Sequence, residues 1–424
     1  MSSIGPKVTD IDLPMAKSAI RLRPAEILVG SMFVAYLLNY CDRQAIFSIY
    51  PILKSELHFS DTELGLIGSA FSFIYGLASP IAGQIGDRFS QKSLVILSLV
   101  LWSFFTFLTG LATSVIMLLA CRALIGISES LYMPAAISLT GSAYPPRSRS
   151  RAVGILKTAQ IFGVIAGGWF GGVMADRGQW RAAFFVLGAV GIAYALPYWF
   201  CLRQYRQPIY AETRRSGSLL AVTALIRIPS YLLIGAVFAV ESFGLWLLYA
   251  WLPTFFREKF SLGMADAALS ATVCLQAATF AGIVSGGWIA DHLSVRRPFA
   301  RLELIAWGMI LCVPCFHLLG HCDSLAGTKL AAVGLGLGTG WVMANVFSAA
   351  FDVVPVDTRA SSVGFLNLFS AVGAGLGPLL GGLWKQSLGI GNLMTLTGGA
   401  YAVAGLLMLA GTKIWFERDY ARVH

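Results

Sequence analysis

Apolar runs of about twenty residues follow one another through almost the whole chain. A helix of that length rises roughly 30 Å, the thickness of the hydrocarbon layer of a bilayer. Inside hydrocarbon every backbone N–H and C=O must find its partner within the segment, which selects helices over open strands. Twelve such runs are read over residues 27–50, 62–85, 93–113, 115–143, 152–175, 181–202, 231–256, 267–290, 302–320, 328–352, 361–387 and 391–415. The composition agrees: 57% of the 424 residues are hydrophobic and only 12% are charged, which no ordinary soluble domain shows. The predicted fold class is therefore an all-α membrane protein with twelve transmembrane helices and no strands. The first 25 residues lack the compact apolar core and small-residue cleavage site of a removable secretion signal.

A net charge of +10 raises nucleic acid as a partner, but the placement of the charges excludes it. Loops on the N-terminal side hold most of the basic residues, among them Lys7, Lys17, Arg147, Arg149, Arg214, Arg215, Arg296 and Arg297. The opposite loops hold only Lys54, Arg177, Arg181, Arg257, Lys259, Lys329 and Lys385. This is the positive-inside asymmetry, which assigns both termini and the basic connection 203–229 to the cytoplasm. A multi-pass protein of a bacterial inner membrane is expected. The seven cysteines lie nearly all within apolar runs and read as packing residues, and Cys312 and Cys315 lack the strand-helix context of a redox pair. Gly334, Gly336, Gly338 and Gly340 do not have phosphate-loop spacing and suit close helix contact. The five histidines are scattered and the longest polar stretch is 203–229, so neither a metal site nor a catalytic domain is expected: the chain reads as no enzyme.

The chain repeats itself. "GQIGDRFSQK" (Gly83 to Lys92) follows the second run and "GWIADHLSVRR" (Gly287 to Arg297) follows the eighth. "YPPRSRSRAVG" and "VPVDTRASSVG" align Pro145 with Pro355, Arg149 with Arg359 and Gly154 with Gly364, at one constant offset. Such duplication halves the structure and places a site between the halves. With the motif G-x-x-x-D-R-x-x-x-K in Gly83, Asp87, Arg88 and Lys92, the whole chain resembles the major facilitator superfamily. That resemblance implies two six-helix bundles around a central cavity that opens alternately to either side. The divisions are a cytoplasmic segment 1–26, a first bundle 27–202, a linker 203–229, a second bundle 230–416 and a tail 417–424. Asp87 is assigned to the N-terminal end of the eleventh helix, where the helix dipole favours an anion, and Asp291 to that of the fifth. Together with Gly287 and Arg296 these residues form the expected cytoplasmic gate; His292 stands where the first copy has arginine.

Charges interrupt the apolar filling in "LLNYCDRQAIF" (Leu37 to Phe47). Asp42 and Arg43 lie about 12 Å in from the outer end of the first span, and Arg122 at roughly the same depth on the fourth. Glu129 is two turns beyond Arg122 on the same face, about 10 Å deeper. Tyr75 and Gln160 reach a similar middle level. Charges at such depth are costly enough that they face a protein interior or a wet cavity and pair with one another. With all four groups ionised the cluster is neutral; with both carboxylates protonated it carries two positive charges and attracts an anion. Proton and anion binding would then support each other. An ion-paired lock between the first and fourth spans is the structural alternative, and Tyr75 and Gln160 serve equally as interhelical hydrogen-bonding groups.

The constellation resembles the anion:cation symporter family of sugar-acid, sialic acid and vesicular glutamate transporters. By that resemblance Arg43, assisted by Tyr75 and Gln160, holds a substrate carboxylate. Asp42 and Glu129 exchange protons, and Arg122 keeps them ionised until loading. Arginine suits the first role because its planar fork makes two charge-assisted bonds to one carboxylate. "LNYCDRQAI" with "TELGLIGSAFSFIYGL" also resembles Spinster-like transporters, whose animal relatives move lysophospholipids. In the second half Asn345 and Asn367 suit a hydroxylated substrate, whereas Trp246, Trp251, Phe255 and Trp341 suit a greasy one. Glu241, about 15 Å into the seventh span, is a secondary proton site. Drug–proton antiport is a further alternative, although Gly163, Gly167, Gly168, Gly171 and Gly172 lack the proline of the antiporter motif. The expected function is proton-coupled symport of a small organic anion by a monomer. Protons are the coupling ion, no other cofactor is needed, and membrane lipid is the only other partner.

Overall fold

The computed structural model describes residues 22–144, 146–205, 225–355 and 358–423. Among the described residues twelve helices are long and apolar enough to cross a membrane: α1 (Leu22–Ser48), α2 (Asp61–Arg88), α3 (Gln91–Thr109), α4 (Val115–Ala143), α5 (Pro146–Asp176), α6 (Trp180–Gln204), α7 (Pro229–Phe260), α8 (Met264–Ser294), α9 (Ala300–His321), α10 (Leu325–Phe351), α11 (Arg359–Leu388) and α12 (Ile390–Ala421). No strand occurs among the described residues. An even number of crossings puts the start of α1 and the end of α12 on one side, the near face; the opposite side is the far face.

Local chemistry explains the helix ends. Ser60 and Glu63 form a reciprocal capping box at the start of α2, which satisfies donors that have no intrahelical partner. Ser114 and Ser324 cap α4 and α10 through the amides of Met117 and Gly327. The helix α4 breaks at Leu131, because Pro134 has no N–H to give to the Ser130 carbonyl one turn back. A short helix, Tyr50–Glu56, follows α1 and turns the chain along the far face.

Helices approach closely where glycine removes the side chain. On α10, a Cβ at Gly340 would lie 2.6 Å from the Gly282 Cα of α8. The glycine run of α10 thus packs against a neighbouring helix, the use expected of small residues in lipid.

The two halves touch at the far face and part toward the near face. A Cβ on Gly65 of α2 would lie 2.6 Å from the Pro378 oxygen of α11, and one on Gly172 of α5 would lie 2.7 Å from the Ala265 nitrogen of α8. The same helix stripes, followed toward the near face, reach Gly83 on α2, Gly154 on α5 and Gly364 on α11. A Cβ at any of these would meet nothing within 4 Å. Tyr50 packs against Trp251 at 5.3 Å between ring centroids, and the Trp251 indole donates to the Pro378 carbonyl at 3.0 Å. These two rings plug the far end. The cavity between the halves is therefore open at the near face and shut at the far face.

Gly65→Val places two methyl groups against the α11 backbone. With spin labels at Glu63 and Gln386, the distance across the far face should lengthen relative to wild type. An unchanged distribution would show that this contact does not hold the halves together.

Candidate functional site

The site is built on α1 and α4, which run in opposite directions in the first half. Side chains lean toward the N-terminus of their own helix, so Arg43 leans toward the near face and Glu129 toward the far face. They meet. Arg43 Nε donates to Glu129 Oε2 at 2.6 Å and Nη2 lies 2.5 Å from the same oxygen. Counting residues along the helix axes separates these two by depth, and the opposed lean of two long side chains closes the gap. The guanidinium is walled by aromatic rings, with its Cζ 4.8 Å from the Tyr40 centroid, 4.4 Å from Phe71 and 5.1 Å from Tyr75. Such faces attract a cation and exclude water from its sides.

Asp42, the neighbour of Arg43, points elsewhere. It accepts a bond from Thr106 Oγ1 of α3 at 3.2 Å and lies within electrostatic reach of Glu129, Arg122 and Arg43. Arg122 is buried beside Tyr50, Asp42 and Glu129, and its Nε and Nη2 have no hydrogen-bond partner. The Asn39 side chain lies within hydrogen-bonding reach of the Glu129 carboxylate. Asn39 is buried one turn before Arg43 on the same face of α1. The four charged residues expected to meet do meet, with Arg43, not Arg122, as the ion-pair partner of Glu129.

Tyr75 lies against this pair, stacked on Phe71 at 5.8 Å. Gln160 of α5 stands beside the Tyr249 hydroxyl of α7, which also takes a bond from Gln276 of α8 at 3.1 Å. Gln44 of α1 donates to the Tyr249 carbonyl at 3.1 Å. A belt of neutral polar groups thus joins the halves above the ion pair. Asn39, Gln44, Tyr249 and Gln276 escaped the sequence reading. A neutral amide or phenol does not break an apolar run as a charge does, although the spacing of Asn39 to Arg43 was a usable signal.

The second half contributes less than expected. Asn345 is buried and spends its amide on the carbonyls of Trp341 (2.9 Å) and Gly286 (3.4 Å), tying α10 to α8. Asn367 is exposed on the stripe of α11 that carries Ala371 and Pro378, just past the level where α2 departs. Glu241 is buried on α7; Ser242 Oγ lies 3.4 Å from one carboxylate oxygen, and the other has no partner. It sits apart from the Arg43 cluster. Trp246 packs on Phe47 and Phe71, and Trp341 donates to Ser285 at 3.2 Å. These aromatics are committed to packing and closure.

Of the gate motif, the side chains of Asp87 and Arg88 lie outside the described residues, as do those of 145–151 at the start of α5. Lys92 donates to the Tyr205 carbonyl, joining α3 to the end of α6. Asp291 is mostly exposed and lies 3.6 Å from Arg301 of α9, which makes two 3.0 Å bonds to Asp352; Arg296 is exposed. The dipole contact foreseen for the near face has a counterpart at the far face. There Asp176, ending α5, accepts from the amides of Met264 (2.7 Å) and Ala265 (2.9 Å) that begin α8. Also at the far face, on the α2–α11 seam, Asp61 pairs with Lys54 (2.6 Å) and with Lys385 of α11 (3.4 Å). Asp176→Ala should cost the closed far face about 1 kcal/mol, roughly fivefold in the equilibrium. Alkylation of a cysteine placed at Ala268, beneath this contact, should accelerate by about that factor; an unaltered rate would mean the latch is idle.

Comparison with known proteins places this geometry. The family profile of the Major Facilitator Superfamily matches residues 32–378. A hexuronate transporter of Bacillus subtilis (strain 168) is 24% identical over 397 residues, covering 90% of this chain and 92% of the relative. Multidrug resistance protein 1 of the same organism is 26% identical over 360 residues, covering 84% and 88%. Among solved structures, a bacterial homologue of the human lysosomal transporter Spinster, in an inward-facing and unoccupied conformation, superposes with a TM-score of 0.76. Its identity is 22%, over 94% of this chain and 96% of that one. The relatives differ in what their names say they move.

Proposed function

We propose, from the premise that this chain belongs to the Major Facilitator Superfamily, that it carries a small organic anion, a sugar acid or other carboxylate, together with protons by alternating access. The observation that carries this reading is the Arg43–Glu129 pair. Glu129 occupies the cation that a substrate carboxylate needs, and two carboxylates cannot share one guanidinium edge without repulsion. A proton on Glu129 removes the competing charge and frees Arg43 for two charge-assisted bonds to the incoming anion. Loading therefore requires a proton, and releasing the proton expels the anion. Asp42, held by Thr106 and within reach of both arginines, is the second exchangeable proton site. Arg122 supplies the charge that draws both protons off again. Tyr75, Gln160 and Asn39 offer hydrogen bonds to substrate hydroxyls, and Asn367 lines the open side. Glu241 is assigned a secondary proton role in the other half.

With the near face assigned to the cytoplasm from the asymmetry of basic loops, the conformation is inward-facing. The name of the hexuronate relative agrees with an acidic sugar as cargo. A cationic drug would find Glu129 already matched by Arg43. The Spinster likeness, at 22% identity, speaks to the fold and not to a substrate.

In proteoliposomes an inward proton gradient should drive accumulation of glucuronate or a related sugar acid; uptake driven by an outward gradient would favour antiport instead. Glu129→Gln should abolish accumulation while sparing exchange of substrate across the membrane, and loss of both would move Glu129 into binding or folding. Arg43→Gln should remove anion binding, and unchanged affinity would defeat its role. Binding should weaken as pH rises, because ionised Glu129 reclaims Arg43, and Glu129→Gln should flatten that dependence. A lysolipid adduct in native mass spectrometry, with no response to carboxylates, would move the cargo to an amphiphile.

A further inference from the structure

Lys157 is a charge within the α5 span that the cluster around Arg43 does not use. It lies on the stripe of α5 between Gly154, where a Cβ would meet open space, and Gly168, where one would lie 3.7 Å from the Ala268 Cβ of α8. Its side chain is exposed, yet it faces across the cavity: the ammonium lies 5.5 Å from the ring centroid of Phe347 on α10, in the opposite half. No ion pair involves it among the described residues. A lone ammonium within a membrane span is expensive, and an aromatic face returns only part of that cost. A lysine serving only to reach the headgroup layer would extend along its own helix toward the interface. This one is turned inward, onto the wall of the other bundle.

The register between α1 and α5 fixes where this charge stands relative to Arg43. A Cβ on Gly163 would lie 2.6 Å from Tyr40 Cβ, and the Arg43 guanidinium lies 4.8 Å from the Tyr40 ring. Lys157 precedes Gly163 by six residues, which puts its backbone roughly 9 Å nearer the open mouth. Between these two levels stands the neutral amide of Gln160, beside the Tyr249 hydroxyl. The cavity thus has a cation at its closed end, a second at its mouth and uncharged donors and acceptors between. A single-headed acid seated at Arg43 leaves the second cation unanswered.

We propose that Lys157 is a second anion subsite, and that the cargo is a two-headed anion, an extended polyhydroxylated dicarboxylate with one carboxylate at Arg43 and the other at the Lys157 ammonium. This rests on the symport reading above and names its substrate class. It also gives the inward-open state a reason for an unpaired charge at its mouth: positive potential in a low-dielectric cleft gathers anions.

The test compares D-glucarate, with a carboxylate at each end, and D-gluconate, the same carbon chain with one, by calorimetry on the purified full-length protein at acidic pH. Wild type should bind glucarate about tenfold more tightly or better, the value of one charge-assisted contact. Lys157→Gln should bring glucarate down to the gluconate level and leave gluconate within about twofold. Lys157→Arg should restore the preference, and unchanged thermal unfolding of both variants establishes that they are folded. Equal loss for both acids, or no loss for either, overturns the second subsite. A wild type that binds gluconate as tightly as glucarate overturns the two-headed cargo and leaves the symport reading standing. Binding of neither acid, unaltered by Arg43→Gln, overturns both.

Discussion

One ion pair in a place where ions are costly organises this protein. Arg43 and Glu129 are buried among aromatic rings, and neither charge could stay there without the other. Their partnership is strong in the low dielectric of the interior and exclusive, because Glu129 takes both Arg43 bonds with one oxygen. Anything that competes for Arg43 must deal with Glu129 first. Nε and Nη2 of Arg122 stay unpartnered beside the pair, which leaves the site hydrogen-bonding capacity to spare. A self-satisfied lock would have none.

The scaffold makes that chemistry addressable from one side. Glycine-lined contacts and two electrostatic latches, Asp176 on the start of α8 and Asp61 with Lys385, draw the halves together at the far face. Tyr50 and Trp251 fill the end of the cavity. The two latches are polar and can separate and re-form without breaking a bundle's own packing, as rocking of rigid halves demands. Within each half the helices pack through similar seams, such as Gly340 against Gly282. Glycine seams thus serve gate and core alike, and the Asp176 and Asp61 latches add polar contacts at the gate.

Much of this was written legibly in the sequence, and the gaps follow a physical pattern. Twelve spans stand out because hydrocarbon burial is a property of composition and length. Their extents were less legible: α7 and α8 run beyond the apolar windows to Pro229–Phe260 and Met264–Ser294, since helix outside the bilayer carries polar residues. The break at Leu131 was missed although Pro134 announces it. Asp42, Arg43, Arg122 and Glu129 were visible as charges where none is tolerated cheaply, but residue spacing gives levels of Cα atoms, and side-chain lean decided the partner. Direction around a helix was harder still. Asn345 looked like Asn367 from the sequence, yet one is consumed by backbone carbonyls and the other faces open space. Lys157 went unread because a single lysine near a span end is ordinarily an interfacial anchor; only its contact with Phe347 across the cavity shows otherwise.

The central claim is that Glu129 and the cargo contend for one guanidinium, so that capture of the anion and uptake of a proton are one event. The direct measurement is proton uptake on binding, followed with a pH-sensitive dye as sugar acid is added to the purified protein in weakly buffered solution. The account predicts that protons are taken up in proportion to anion bound, and that Glu129→Gln diminishes the signal while still binding. Anion binding without any change in bound protons would contradict it.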